Sequence, residues 1–112
     1  MKKILLIDDD KETNQIFHNY LTELGYDMHV AYDGIDGINK MSIVKPDLVL
    51  LDFYMPGANG YDVMYNIQKN YSVPIIFISS DEINSFGYNF LKKPFSLKKL
   101  EKTINVILVN KF

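Results

Sequence analysis

Four stretches of this chain place charged or hydroxyl side chains directly after an apolar run. Asp8, Asp9 and Asp10 follow residues 4–7, and Asp52 follows residues 48–51. Ser79 and Ser80 follow residues 75–78, while Lys92, Lys93 and Pro94 follow a shorter run at residues 88–91. Brought together, these ends would hold several carboxylates, a hydroxyl and an ammonium. Carboxylates so close repel one another unless a cation joins them. No histidine or cysteine is near them in the sequence, so the ligand set would be all oxygen. That favours a hard ion, magnesium above zinc. Carboxylates balanced by one divalent ion and one lysine approach neutrality, and such a site could accept a dianionic phosphoryl group.

Each residue alone has a plainer reading. An Asp after a strand is often the N-cap of the next helix, which is the role expected of Asp10. Ser79 alone would be a turn residue, and Lys92 and Lys93 a solvated pair. Asp52 is harder to dismiss, because a lone charge ending a buried apolar strand is costly. The signal lies in the constellation, since the plainer reading must be invoked separately at four strand ends.

The elements that must position these residues follow from hydrophobic periodicity. Five apolar runs, at residues 4–7, 27–32, 48–51, 75–78 and 88–91, alternate with helical patterns. Ile16, Phe17, Tyr20, Leu21 and Leu24 mark a first helix stopped by Gly25, and Ile35, Ile38 and Met41 a second closed by Pro46. A loop with Pro56, Gly57 and Gly60 leads to a third helix with Val63, Met64 and Ile67, and Ser96 caps the last. The second run alternates more and is expected at a sheet edge. Strand alternating with helix predicts an α/β fold: a doubly wound five-stranded parallel sheet, flavodoxin-like, of order 2-1-3-4-5. Ligands of such sheets bind beyond the carboxyl ends of the strands, where the four stretches fall.

Composition narrows the classes further. The chain has 112 residues, 47% hydrophobic and 23% charged, a length that suits one domain spanning 1–112. There is no cysteine, so disulfides, thiolate metal sites and cysteine nucleophiles are excluded. All 12 basic residues are lysine and the net charge is -2. Guanidinium grips on guanine are therefore impossible, and direct nucleic-acid binding is not expected. The apolar runs are too short to span a membrane, and Asp8 cuts off the first too early for a signal peptide, so a cytoplasmic protein is expected.

These residues resemble the receiver domain of two-component response regulators along the whole chain. Lys3-Ile4-Leu5-Leu6-Ile7-Asp8-Asp9 resembles the family's first strand and acidic pair. Leu51-Asp52-Phe53-Tyr54-Met55-Pro56 with Gly60 resembles its phosphoacceptor loop. Ile78-Ser79 and Lys93-Pro94-Phe95 resemble the ends of its fourth and fifth strands. The resemblance implies phosphorelay signalling in which Asp52 takes a phosphoryl group from a histidine kinase or phosphotransfer protein. It implies magnesium (or manganese) held by Asp9, Asp52 and the Tyr54 backbone carbonyl, with Asp8 acting mostly through a water. Lys93 would pair with Asp52 and then with the phosphoryl group, and Ser79 would hydrogen-bond it and move inward. Phe90 matches the family's switch aromatic but lacks a hydroxyl, so any switch there rests on packing. Tyr54 and Asp81 fall at positions that shape water access. Such a protein is not an enzyme beyond its own phosphorylation and dephosphorylation.

One departure concerns the output side. Only 13 residues separate Ser79 from Lys93, about eight fewer than a full fourth helix and its loops would give. The fourth helix is expected to be shortened or missing, with one capped turn between Ser80 and Gly87. The last helix carries Ile104, Val106, Ile107, Leu108 and Val109, more than one inward stripe holds. The surplus would cover the gap or meet an output protein, and a homodimer through the last helix and fifth strand is one expected assembly. No output domain is expected within this chain. Two alternatives are a degenerate receiver acting as a phosphorylation-independent interaction module, and a haloacid-dehalogenase-like phosphatase using Asp8-Asp9-Asp10. The second leaves the Asp52 loop unexplained.

Overall fold

The computed structural model describes residues 1–82 and 89–109. In chain order the elements are β1 (Lys3–Ile7), α1 (Lys11–Glu23), β2 (Asp27–Ala31), α2 (Gly34–Val44), β3 (Leu48–Asp52), β4 (Tyr54–Met55) and β5 (Ala58–Asn59). They continue with α3 (Gly60–Gln68), β6 (Ile75–Ser79), β7 (Asn89–Lys92) and α4 (Leu97–Val109). Five strands form one parallel sheet of order β2-β1-β3-β6-β7, the expected order once the small β4-β5 hairpin is counted. No helix among the described residues is long and apolar enough to cross a membrane.

The central strands read as unbroken apolar runs because both faces of the sheet are covered. Leu5, Ile7, Val49, Leu51, Ile75 and Phe77 pack on one face against Met41 of α2 and Val63 and Ile67 of α3. Their alternates Ile4, Leu6, Leu48, Leu50, Ile76 and Ile78 pack on the other against Phe17 and Leu21 of α1 and Leu100 and Ile104 of α4. Each fully buried side chain of this size contributes about 1.5–3 kcal/mol. That rigid slab holds the strand ends in place.

The helix signals work as local chemistry predicts. Asp10, Asp33, Asn59 and Ser96 each accept a backbone N–H of the first turn that follows, satisfying a donor that has no partner within the helix. At the end of α1 the Tyr26 N–H reaches the Leu21 carbonyl (3.1 Å) and the Gly25 N–H the Thr22 carbonyl (3.0 Å), with Gly25 at φ 99°. This is a Schellman stop that only a residue tolerant of positive φ completes without strain.

Three residues counted toward the apolar stripes face solvent: Ile16, Leu24 and Ile35. The buried line of α1 is instead Asn14, Phe17 and Leu21, spaced three and four apart, and Ile16 lies off that line. The loop after β3 is partly ordered as the β4-β5 hairpin, in which Met55 faces Ala58 across the Pro56-Gly57 turn. Tyr88, expected to begin the last strand, and most of the expected short turn lie outside the described residues.

Gly60 is fixed by packing. A Cβ there would sit 2.5 Å from Phe53 Cδ2 and 3.1 Å from the Phe53 Cα. Backbone cannot swing aside as a side-chain end can. Gly60→Ala is expected to lower stability by about 1–3 kcal/mol in urea denaturation, through overpacking against Phe53.

Candidate functional site

Strand register assembles the site. Ile7 pairs with Leu51, so Asp8 and Asp52 continue neighbouring strands. Asp52 is level with Ile78, and Ser79 with Lys92, which sets Ser79 and Lys93 on the next two strand ends. The ladders run on beyond the strands. The Asp8 N–H donates to the Ala31 carbonyl at 3.0 Å, the Phe53 N–H to Ile78 at 2.8 Å and the Lys93 N–H to Ser79 at 2.7 Å. Asp8 (1% exposed), Asp52 (9%) and Ser79 (1%) are buried, whereas Asp9 is exposed.

One carboxylate oxygen from each of Asp8, Asp9 and Asp52 lies within 4.8 Å of the others. Lys93 Nζ stands 3.9 Å from Asp8 Oδ2. The expected pairing of Lys93 with Asp52 is therefore shared: the close contact goes to Asp8, and the ammonium acts on Asp52 through its field. Burial, the largest cause, pushes the Asp52 carboxyl up to about 7, with repulsion from Asp8 and Asp9 adding to it and Lys93 opposing it. Asp8 is raised as well, first by burial, against the Asp10 N–H and Lys93. The Asp10 N–H donates to Asp8 Oδ1 at 2.9 Å, but Asp8 Oδ2 is buried with no hydrogen-bond partner among the described residues.

These features fit a hard divalent cation. The donor set is carboxylate only, one buried acceptor has no hydrogen-bond donor, and the remaining negative charge is uncompensated. The hairpin fixes the aim of the Tyr54 backbone. The Gly60 N–H donates to the Phe53 carbonyl (2.9 Å), so in the antiparallel register the polar groups of Tyr54 point away from β5. The Tyr54 N–H accordingly faces the Asp52 carboxylate, lowering its pKa against the effect of burial. The Tyr54 side chain is 53% exposed. Ser79 Oγ accepts the Asp81 N–H at 3.1 Å. Phe90 is half-buried and packs on the α2–α3 side of the sheet. Asp10, as expected, faces α1: its carboxylate caps the helix and accepts the Thr13 hydroxyl at 2.7 Å.

Sequence reasoning missed Asn14. It is 2% exposed, and its Nδ2 donates to the Asp8 carbonyl at 2.7 Å. This holds the acidic turn against α1. The available signal was a polar residue on the helical line of Phe17 and Leu21.

What sheet and pocket define together is a doubly wound α/β protein with an acidic pocket beyond the carboxyl ends of its central strands. The family model of the response regulator receiver domain matches residues 4–105, and the chain belongs to that family. Its setting is two-component phosphorelay signalling. Among solved structures, a two-component response regulator from Clostridium difficile is 26% identical, with 98% of each chain covered and a TM-score of 0.92. The N-terminal domain of the nisin resistance regulator NsrR, a lantibiotic response regulator, is 29% identical over 96% of this chain and 98% of that one, with a TM-score of 0.87. The response regulator TrrA from Thermotoga maritima, solved in complex with Mg(2+)-BeF, is 27% identical over 96% of this chain and 99% of that one, with a TM-score of 0.86.

Proposed function

We propose that Asp52 accepts a phosphoryl group from the phosphohistidine of a histidine kinase or phosphotransfer protein, and that the acyl phosphate changes a protein-interaction surface. The observation that carries this reading is Asp52 itself, buried at the end of a central strand among Asp8, Asp9, Ser79 and Lys93. Magnesium, or manganese, held by Asp8, Asp9, Asp52 and the Tyr54 carbonyl would supply charge neutralisation for the carboxylates and the incoming phosphoryl oxygens.

An Asp52 carboxylate oxygen attacks phosphorus in line, a P–O bond forms, and the P–N bond breaks with its electron pair returning to the imidazole. Lys93, held near Asp8, turns to a phosphoryl oxygen as charge builds there. Ser79 Oγ accepts from Asp81, which leaves its own hydrogen free to donate to the phosphoryl group. Phe90 can follow that movement only by repacking, having no hydroxyl to bond. Tyr54 and Asp81 fall at the positions that shape water access in this family and would set the lifetime of the acyl phosphate. The chemistry is confined to the chain's own phosphorylation and dephosphorylation, so it is not an enzyme in the ordinary sense. The output side differs from a full receiver, since nine residues between Ser79 and β7 are too few for a helix of usual length and two loops.

Incubation with acetyl phosphate and magnesium tests this. The wild type is expected to take up label that a chelator or Asp52→Asn abolishes and Lys93→Ala strongly reduces. Absence of label from any donor would instead favour a phosphorylation-independent interaction module.

A further inference from the structure

We propose that the open edge of β2 takes an extended, acidic segment of another protein as a sixth, parallel strand. The Asp27 N–H donates to the Lys2 carbonyl and the Ala31 carbonyl accepts the Asp8 N–H, so Asp27, His29 and Ala31 turn their backbone groups to β1. Met28 and Val30 alternate with them and turn theirs outward. One of these outward groups is occupied: Lys40 Nζ donates to the Val30 carbonyl at 2.6 Å and pairs with Asp36 at 3.2 Å. The Met28 N–H, the Met28 carbonyl and the Val30 N–H have no partner among the described residues. An edge strand in that state is a template for another chain.

An open groove of about 420 Å³ runs along this edge, walled by Lys11, Asn14, Gln15 and His18 of α1 and floored from Met28 to Tyr32. Met28 packs with Phe17 and Leu21 on the α1 side of the sheet, so Val30, two residues on, faces α1 as well. Two groups of the wall lack a counterpart. Lys11 Nζ stands 6.0 Å from the centre of the Tyr32 ring and makes no ion pair within 4 Å among the described residues. Asn14 is 2% exposed and its Nδ2 is engaged by the Asp8 carbonyl, but its Oδ1 is buried with no hydrogen-bond partner among the described residues.

These groups specify the occupant. In parallel register, a residue opposite His29 donates its N–H to the Met28 carbonyl and accepts the Val30 N–H, while the Met28 N–H meets the carbonyl two residues earlier. The next rung would need the Val30 carbonyl, which Lys40 already holds, so the added strand is short. The two residues flanking the one opposite His29 face α1. A hydroxyl on the preceding one supplies Asn14 Oδ1 with a donor, and a carboxylate on the following one meets Lys11. A second copy does not fit. A two-fold contact pairs β2 with itself antiparallel, and that ladder runs onto the Val30 carbonyl of both chains, each held by its Lys40. Docking here does not depend on phosphoryl transfer, so it is read on the unphosphorylated chain.

The probe is a labelled peptide, blocked at both ends, that carries valine, threonine, valine and glutamate in that order, tested by fluorescence anisotropy against the whole chain. One control is N-methylated at the second valine, which removes the donor to Met28, and another carries lysine in place of glutamate. The wild type is expected to bind the unmodified peptide alone, and less tightly as salt rises. Lys11→Glu is expected to weaken that binding at least about tenfold and to transfer preference to the lysine peptide. Lys11 opens α1, where a negative charge is favourable, so this loss is not a loss of fold. Val30→Pro removes a donor that no bond of the sheet uses, and is expected to abolish binding while circular dichroism and Asp52 labelling stay unchanged. Failure of the wild type to bind, equal binding of the N-methylated peptide, indifference to Lys11→Glu, or a wild-type dimer in sedimentation that Val30→Pro dissociates would each overturn the proposal.

Discussion

With divalent cations chelated, Asp52→Asn is expected to be more stable than the wild type at about pH 8, by about 2–4 kcal/mol in urea denaturation. The wild-type Asp52 carboxyl is raised from 3.8 to about 7 in the folded protein, chiefly by burial and then by Asp8. Between those values the folded state holds a proton that the unfolded state has released. Stability is fully present below the lower value and is lost as pH rises through the upper one. The amide never carries the charge and also relieves Asp8 of its neighbour, so it escapes that loss. The advantage of the variant should vanish near the unfolded pKa, grow across the window and level off above about pH 7. Denaturation midpoints measured across that range check it. An advantage independent of pH would mean that packing, not charge, separates the two proteins.

Magnesium is expected to reverse the deficit in the wild type. A cation that binds only the folded state adds about 2.7 kcal/mol at a hundredfold excess over its dissociation constant. It does so where Asp8 Oδ2 is buried without a hydrogen-bond donor and three carboxylates crowd within 4.8 Å. The pH slope should flatten at the same time, because the bound cation holds Asp52 ionised in the folded state. Asp9→Asn leaves the buried pair in place and removes an exposed oxygen. It is expected to forfeit most of the gain from magnesium while changing the metal-free stability little. Thermal melts with and without magnesium measure both effects. An equal gain in the variant would remove Asp9 from the cation's ligands.

The parts of the site that sequence displays are those tied to strand ends. Asp52 closes an uninterrupted apolar run, and an apolar run that short, between helical patterns and bounded by Pro46 and Pro56, reads as a covered strand. Asp8, Ser79 and Lys93 follow by the same rule, and parallel register aligns them without further information. What stayed hidden depends on the third dimension. Asn14 bonds the Asp8 backbone from a helix face whose rotation is set by Phe17 and Leu21. The preference of Lys93 for Asp8 over Asp52 follows from where a long side chain can reach, which spacing does not encode. Ile16 and Ile35 look like core residues by type but fall on the outer faces of their helices. The β4-β5 hairpin is too short to leave a periodic signal, and its consequence, the aim of the Tyr54 polar groups, matters more than its length.

The most direct measurement locates the phosphoryl group. The protein is loaded with acetyl phosphate and magnesium, the acyl phosphate is trapped by borohydride reduction, and the modified residue is found by peptide mass spectrometry. Reduction is expected at Asp52 and nowhere else, and to disappear in Asp52→Asn. Modification at Asp8, Asp9 or another carboxylate, or none in protein that binds magnesium, would contradict the assignment of Asp52 as phosphoacceptor.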